Sequence, residues 1–169
     1  IMNRITEVNN ELAKQRNERY IDQLRLRERF PEMFLFVSAG KNNVFSRMMK
    51  RFGYDFHNAF VDLEASPHNG LNGKVSLDSL VAAGVQLDTI RLAFKSDSTK
   101  TDFEGQVRNN RYNPQFVFNA KIRGAFTQSS LYMGTQVFDN RERLGIALGL
   151  NAAMEPGGVR LKLRGIEPE

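Results

Sequence analysis

The clearest pattern in the chain is an alternation of apolar and polar residues between Asn72 and Asp97, "NGKVSLDSLVAAGVQLDTIRLAFKSD". Successive side chains of a β-strand point to opposite faces, so this alternation predicts strands with one apolar face. The phase of the alternation slips between Leu87 and Ile90. An extra residue in one strand, or a crossover between strands, produces such a slip. We therefore expect a β-bulge or a crossover at Asp88-Thr89.

Strand patterns fill most of the chain after Tyr54. The segment "MFLFVSAG" precedes them, and "QFVFNAKIRGAF", "RLGIALGLNAAM" and "GGVRLKLRG" alternate most regularly. Turn-forming clusters such as "SPHNGLNG", "SDSTKTD" and "EPGG" separate the strands. Successive strands joined by turns predict an antiparallel meander, because no second β-α-β unit is present to build a parallel sheet.

Two segments have helical rather than strand character. The first runs from a cap at Asn9 or Asn10 to Phe30, with a thin apolar seam. Pro31 ends it, because the residue before proline is disfavoured in the α region. The second segment, "NNVFSRMMKRFG", places its apolar residues on one face, which we expect to be buried, and Gly53 stops it.

These patterns predict a mainly β chain with two short helices, an α+β fold on a curved antiparallel sheet that the helices partly cover. Residues 1–53 are predicted to form a helix-strand-helix cap, and residues 54–169 the sheet section. The chain opens with "IMNRITEV" and ends at "RGIEPE". We therefore expect one structural unit of a much longer protein.

Composition narrows the possible chemistry. The chain has 169 residues, of which 41% are hydrophobic, as in folded proteins. It contains no cysteine, which excludes disulfides, zinc–thiolate sites and cysteine catalysis. It also has no apolar run long enough for a transmembrane helix.

The net charge of +5 favours either an anionic partner such as nucleic acid or a basic solvated surface. A surface that binds single-stranded nucleic acid should have aromatic side chains among its cations, for base stacking. In this chain the phenylalanines are predicted to alternate to the face opposite the cations. The pattern therefore favours a solvated face, and no nucleic-acid partner is expected.

No motif for catalysis or metal binding stands out. The histidines, His57 and His68, lie near strand ends or turns and have no metal-site spacing. Asp62 and Glu64 lie two residues apart on one strand, which is typical of the solvent face of an antiparallel sheet. The sequence predicts a non-enzymatic protein without a cofactor or metal. A hydrolase that uses His57 or His68 with nearby carboxylates is a remote alternative.

Three segments carry a resemblance to a known family. They are "GLNGKVSLDSLVAAGVQLDTIRL", "FEGQVRNN" and "LGIALGLNAAMEPGGVRLKL", in this order, and the likeness covers the chain from Phe34 to Leu163. The chain resembles the TamB family (translocation and assembly module) of AsmA-like bacterial envelope proteins, as an internal or C-terminal section.

The resemblance implies a taco-shaped β-groove with an apolar interior. It also implies a periplasmic location within a full-length protein that is anchored in the inner membrane outside this segment. The implied role is outer-membrane biogenesis, through transport of phospholipids and assembly of outer-membrane proteins with a β-barrel partner such as TamA or BamA. The family has no known catalytic residues, so the resemblance implies none for this chain.

The leading hypothesis is that the apolar face binds phospholipid acyl chains. The candidate lining residues are Phe116, Phe118, Ile122, Phe126, Leu144, Ile146, Leu148 and Leu150. The candidate residues for contact with anionic groups are Lys50, Arg51, Arg160, Lys162 and Arg164. Two alternatives remain: the apolar residues form a closed core, or the chain is a scaffold whose sheet edge pairs with client strands.

Overall fold

The computed structural model describes residues 2–18, 20, 22–109, 117–155 and 158–165. These residues form three helices and ten strands. The helices are α1 (Met2–Glu18), α2 (Gln23–Arg27) and α3 (Val44–Arg51). The strands are β1 (Met33–Gly40), β2 (Tyr54–Asp55), β3 (Asn58–Ser66), β4 (Gly70–Ala82), β5 (Val85–Ser96), β6 (Thr101–Asn109), β7 (Phe118–Phe126), β8 (Ser130–Phe138), β9 (Leu144–Glu155) and β10 (Gly158–Gly165).

All ten strands belong to one open antiparallel sheet. Its order is β1-β3-β4-β5-β6-β7-β8-β9-β10, and the two-residue strand β2 pairs with β4. From β3 to β10, therefore, each strand lies beside its neighbours along the chain, as the turn clusters predict. The predicted fold class, a mainly β chain with helices and one curved antiparallel sheet, is confirmed.

The pairing register separates the side chains into two faces. Val75, Leu92 and Ile122 lie in one row across the sheet, and we call their side the apolar face. Lys74 lies one residue before Val75, so its side chain is on the other side, which we call the polar face. Arg91 lies on this polar face as well. The same separation continues to β10 at one edge of the sheet, whereas at the other edge Phe34 and Phe36 of β1 lie on the polar face.

The N-terminal helix differs from its prediction. It begins at Met2 rather than at a cap at Asn9 or Asn10, because no glycine or proline interrupts the segment before them. It is also not continuous with the next helix, because Asp22 has an extended backbone and its carboxylate accepts the N–H groups of Leu24 and Arg25. The long predicted helix is therefore two helices, α1 and α2.

A buried glutamine joins these two helices. The Gln15 side chain is fully buried, and its Nε2 donates to Glu11 Oε1 at 2.9 Å and to the Asp22 carbonyl at 3.2 Å. Its Oε1 accepts the Asp22 N–H at 2.8 Å. These hydrogen bonds fix the position of α2 relative to α1. A shift of α2 would leave the buried Gln15 amide without partners, which costs free energy.

Helix α2 in turn is tied to the turns at one end of the sheet. The Gln23 N–H donates to the Gln128 carbonyl at 2.8 Å, and Gln23 Nε2 donates to Thr101 Oγ1 at 3.0 Å. Arg27 Nε donates to the Pro67 carbonyl at 3.0 Å, and its Nη1 donates to the Asp97 carbonyl. These bonds reach the β3–β4, β5–β6 and β7–β8 connections. The helix therefore spans several hairpins at the sheet end.

Helix α3 lies at the opposite end, near β1 and β2. Asn43 caps it by accepting the Ser46 N–H at 2.7 Å. Met49 packs against a small cluster of Ala39, Phe56 and Ala59. The expectation that its whole apolar face is buried is wrong, because Val44, Phe45, Met48 and Phe52 are exposed.

The phase slip at Asp88-Thr89 has a simpler cause than the one predicted. Strand β5 is continuous, and its register with β4 is the same on both sides of Asp88. The β4–β5 pairing is interrupted only opposite Asp88, at Ser79, which has a left-handed φ of 54°. The prediction of an inserted residue or a crossover at Asp88-Thr89 is therefore wrong. The irregularity is a backbone distortion on the neighbouring strand.

Gly124 provides a test of how closely the strands and side chains pack. A Cβ atom at this position meets the Tyr132 carbonyl at 2.3 Å and the Phe103 ring at 2.4 Å. We expect Gly124→Ala to lower the free energy of unfolding by about 1–3 kcal/mol, measured by urea denaturation, because backbone and ring must both shift. Gly158→Ala is the matched control, since nothing lies within 4 Å of its added Cβ. Equal effects of the two substitutions contradict the packing described.

Glu11 makes the joint between α1 and α2 sensitive to acid. The hydrogen bond from Gln15, with the charge of Arg25 at 2.8 Å, holds the pKa of Glu11 below its usual value of 4.5. Ionised Glu11 therefore stabilises the joint above pH 4.5, and this contribution is lost as the pH falls through the lower folded-state pKa. We expect amide exchange in α1 to accelerate in that acidic range.

Glu11→Gln separates this effect from general acid unfolding. The variant has no carboxylate to protonate, so the acid-dependent part of the α1 exchange rate should shrink. Glu7→Gln on the exposed side of the same helix should leave it unchanged. An identical pH dependence in the wild type and in Glu11→Gln rules out this role for Glu11.

Candidate functional site

The candidate site is the apolar face itself. Apolar side chains from separate strands line up in rows across the sheet, because the pairing register holds along each pair of strands apart from the gap at Ser79 and a shift between Val137 and Phe138. One row contains Val61, Val75, Leu92, Gly105, Ile122, Thr135 and Leu148. The next row contains Phe94, Phe103, Gly124, Met133, Leu150 and Leu163. The result is a surface without charged side chains in these rows.

This surface is accessible rather than buried. The exposed fraction is 53% for Ile146, 50% for Leu148 and 74% for Leu163. Among the described residues, the buried apolar side chains are Ala39, Phe56, Ala59 and Ala152. A closed core buries its large apolar side chains, and these four include a single large one. In the described part of the chain, the apolar face is therefore not a closed core: it is most exposed at β9 and β10, and its middle residues, such as Val75, Phe103 and Ile122, are half-buried.

Glycines let large side chains lie flat on this surface. Phe103 packs over Gly124, where its ring occupies the space of an absent Cβ, and Leu92 lies similarly over Gly105. The Phe103 and Phe126 rings are 5.4 Å apart at a tilt of 38°. Around these residues the surface consists of rings and methyl groups, which offer van der Waals contact.

Most of the predicted lining residues lie on this face. The register places Phe118, Ile122, Phe126, Ile146, Leu148 and Leu150 there. Phe116 lies outside the described residues. The structure adds residues that the prediction left out, among them Leu92, Phe103, Leu161 and Leu163. Their alternation with polar residues in the sequence is as regular as that of the predicted set, so the same pattern could have identified them as lining residues.

Leu144 is the exception, and its predicted place on the apolar face is wrong. The β8–β9 register shifts between Val137 and Phe138, so that Val137 pairs with Ile146 but Phe138 pairs with Leu144. Gly145 is the extra residue of this β-bulge. Leu144 therefore lies in the row of Phe138 and Asn119, on the polar side.

The predicted contacts for anionic groups do not form one patch. Lys50 and Arg51 are in α3 beside edge strand β1, whereas Arg160, Lys162 and Arg164 are on the other edge strand, β10. Eight strand spacings separate these edges, about 38 Å along the sheet. The two groups therefore cannot contact one small anion together.

Two of these cations already have acidic partners. Lys50 Nζ lies 3.2 Å from Asp55 Oδ2, and its hydrogen bond lowers the pKa of Asp55. Arg160 Nη2 lies 3.0 Å from Glu155 Oε1. Lys162 and Arg164 remain exposed on β10.

The separation of aromatic rings from cations is also less complete than predicted. Phe34, Phe36 and Phe60 lie on the polar face, because their register partners include Glu64, Asp62 and Ser76. The Phe36 and Phe60 rings make an edge-to-face contact at 5.6 Å. The expectation that phenylalanines keep to the side opposite the charges is therefore wrong for this corner of the sheet.

Within the described residues, neither histidine side chain makes a hydrogen bond or an ion pair. His57 and His68 are both exposed, and His68 lies in the β3–β4 turn. Over the residues that the structure describes, no three His, Cys, Asp or Glu side chains are grouped to hold a metal ion. No described helix has the length and apolar character needed to cross a membrane.

Comparison with known proteins assigns no family to the chain. No protein-family model matches it, and no curated protein or solved structure matches it either. The two faces and two edges of the sheet are therefore the basis for a proposal about function.

Proposed function

We propose that the chain is a non-enzymatic section of a TamB-like envelope protein, and that its apolar face binds phospholipid acyl chains. The observation that carries this proposal is the apolar face, which runs across the sheet from β1 to β10 and is most exposed at β9 and β10. Exposed apolar patches of more than a few hundred Å² are rare on soluble proteins and mark surfaces that contact something else.

The chemistry of the face suits a hydrocarbon chain. Each methylene group removed from water contributes about 0.8 kcal/mol, without any directional contact. A flexible acyl chain can follow the surface of rings and methyl groups around Phe103 and Leu92, since these groups need no hydrogen-bond partner. Recognition then depends on apolar area and not on one specific residue.

The resemblance to the TamB family supplies the cellular setting of the proposal. In this setting the section lies in the periplasm, within a longer protein that is anchored in the inner membrane. It serves outer-membrane biogenesis, by phospholipid transport or by assembly of outer-membrane proteins with a β-barrel partner. The open sheet agrees with the groove that the family resemblance implies.

Leu148→Arg tests the proposal with little risk to folding, because Leu148 is half exposed on the apolar face. Burial of an arginine beneath an acyl chain is strongly unfavourable, so we expect at least tenfold weaker binding of a fluorescent fatty acid. Mass spectrometry should also find less co-purified phospholipid. Asn151→Arg is the control, since it adds the same charge to the polar face of the same strand.

Two results contradict acyl-chain binding. One is the absence of extractable lipid together with no fatty-acid binding by the wild type. The other is an equal effect of Leu148→Arg and Asn151→Arg, which attributes the loss to charge alone. Ile122→Arg places the same charge on the apolar face of β7, and it should weaken binding as well if the effect is not confined to β9.

The exposed edge of the sheet favours a second function, a scaffold that pairs with strands of a client or barrel partner. In β10 the side chains from Val159 to Gly165 are all exposed, and no described strand pairs with its outer side. An open edge with unpaired N–H and C=O groups can accept another strand.

Amide hydrogen exchange separates the two functions. We expect the outer amides of β10 to exchange rapidly in the free chain and to be protected by a barrel partner if edge pairing is the function. Protection of β10 in a preparation without extractable lipid supports the scaffold. Unchanged β10 exchange with a bound partner excludes pairing at this edge.

A further inference from the structure

A pocket of about 550 Å³ lies on the polar face, near the middle of the sheet. Its charged lining consists of Lys74, Arg91, Lys121, Arg123 and Glu104. These side chains come from four adjacent strands, β4 to β7, so the sheet itself holds their positions. Four cations and one carboxylate leave three positive charges in excess.

The register explains why a pocket forms there. Two rows cross it: Ser76, Arg91, Gln106 and Lys121, and then Lys74, Ala93, Glu104 and Arg123. Ala93 has only a methyl group, which leaves space between the long side chains around it. Strands β5 and β7 are two strand spacings apart, about 9.6 Å, so Arg91 and Lys121 can both reach a small group bound between them.

Carboxylates balance the charges of this pocket only in part: besides Glu104, Asp62 lies across from Lys74 on the polar face of the described sheet. Beside it on the same face, Lys100 and Asp102 form an ion pair at 2.8 Å. None of the four pocket cations forms an ion pair with a described residue, although Glu104 lies directly across from Arg123 in the register. Lys121 Nζ lies 5.1 Å from the centre of the Phe138 ring at the edge of the group.

We propose that this pocket binds a phosphate group. A phosphate carries up to two negative charges and several acceptor oxygens, which matches an excess of three positive charges from several directions. The guanidinium groups of Arg91 and Arg123 can each donate two parallel hydrogen bonds to phosphate oxygens, whereas lysine ammonium groups add point charges. A ligand with one carboxylate group has fewer acceptor oxygens than a phosphate, so more of these donors would have no partner.

The phosphate belongs either to a soluble phosphorylated molecule or to a lipid headgroup. Both present the same chemistry to the pocket. The pocket is on the opposite side of the sheet from the apolar face, so this proposal does not depend on acyl-chain binding. A negative result for phosphate binding therefore does not contradict acyl-chain binding, and the reverse also holds.

Titration of the complete chain with pyrophosphate tests the site. Nuclear magnetic resonance should show shifts of the Arg91 and Arg123 side-chain N–H signals, together with those of the surrounding strands. The double substitution Arg91→Gln with Lys121→Gln should weaken pyrophosphate binding at least tenfold, since it removes two charge-assisted contacts. The proposal is overturned if these shifts are absent at millimolar pyrophosphate and the chain is also not retained by vesicles that contain phosphatidic acid.

The controls distinguish a site from general attraction to a basic protein. Lys162→Gln with Arg164→Gln removes the same charge from the polar face at β10, and should change the affinity less than twofold. Glu104→Gln removes the pocket carboxylate and should tighten binding several-fold, whereas Glu64→Gln on the same face should not. Equal weakening by the two double substitutions, or no gain from Glu104→Gln, overturns the proposal.

Vesicles identify the source of the phosphate. Wild type and variants are tested with vesicles of phosphatidylcholine, with and without phosphatidic acid, in a background of Leu148→Arg to suppress acyl-chain contact. Retention that requires phosphatidic acid and is lost in Arg91→Gln with Lys121→Gln supports a lipid headgroup. Pyrophosphate binding without vesicle retention supports a soluble phosphorylated ligand.

Discussion

The fold depends on the hydrogen-bonded ladder between strands more than on a hydrophobic core. Apart from Phe56, the buried apolar side chains of the described chain are alanines. Backbone N–H and C=O groups must be paired wherever water is excluded, and a ladder of strand pairs across the whole sheet, interrupted at Ser79 and at the bulge in β9, meets this requirement. The two faces, the rows of side chains and the positions of both candidate sites all follow from this pairing of the strands.

A sheet organised in this way has two chemically different surfaces back to back. Apolar side chains that are half exposed on one face contribute less to stability than they would in a closed core, because much of their area stays in contact with water. The helices compensate only at the ends of the sheet, through polar joints such as Gln15 with Asp22 and Arg27 with the turns. Stability and the proposed acyl-chain binding therefore compete for the same apolar area.

Much of the fold could be predicted from the sequence, because the strand signal is local. Alternation identifies β7 and β10, and turn clusters predict the meander. The division between α1 and α2 could not be predicted, since it depends on the bonds of Gln15 to Asp22, which form only once the helices are folded. The distortion at Ser79 produces a slip that is visible on the opposite strand, at Asp88, where it resembles a bulge.

The candidate sites were predictable to a different degree. Six of the eight proposed lining residues lie on the apolar face, while the bulge at Gly145 moves Leu144 away from it and Phe116 lies outside the described residues. The pocket on the polar face was not visible in the sequence. Its cations are up to 49 residues apart along the chain, from Lys74 to Arg123, and only the pairing of four strands brings them together.

The strand order has a consequence for how such a chain can change in length. From β3 to β10 each strand pairs with its sequence neighbours, so one hairpin is a complete repeating unit of the sheet. A whole hairpin can be gained or lost without altering the facing of any remaining side chain, because two strands restore the direction of the chain. Contacts this local also allow folding to spread from one hairpin to the next, as in repeat proteins. The width of such a sheet can therefore grow in steps of two strands, until it spans a distance that its surroundings require.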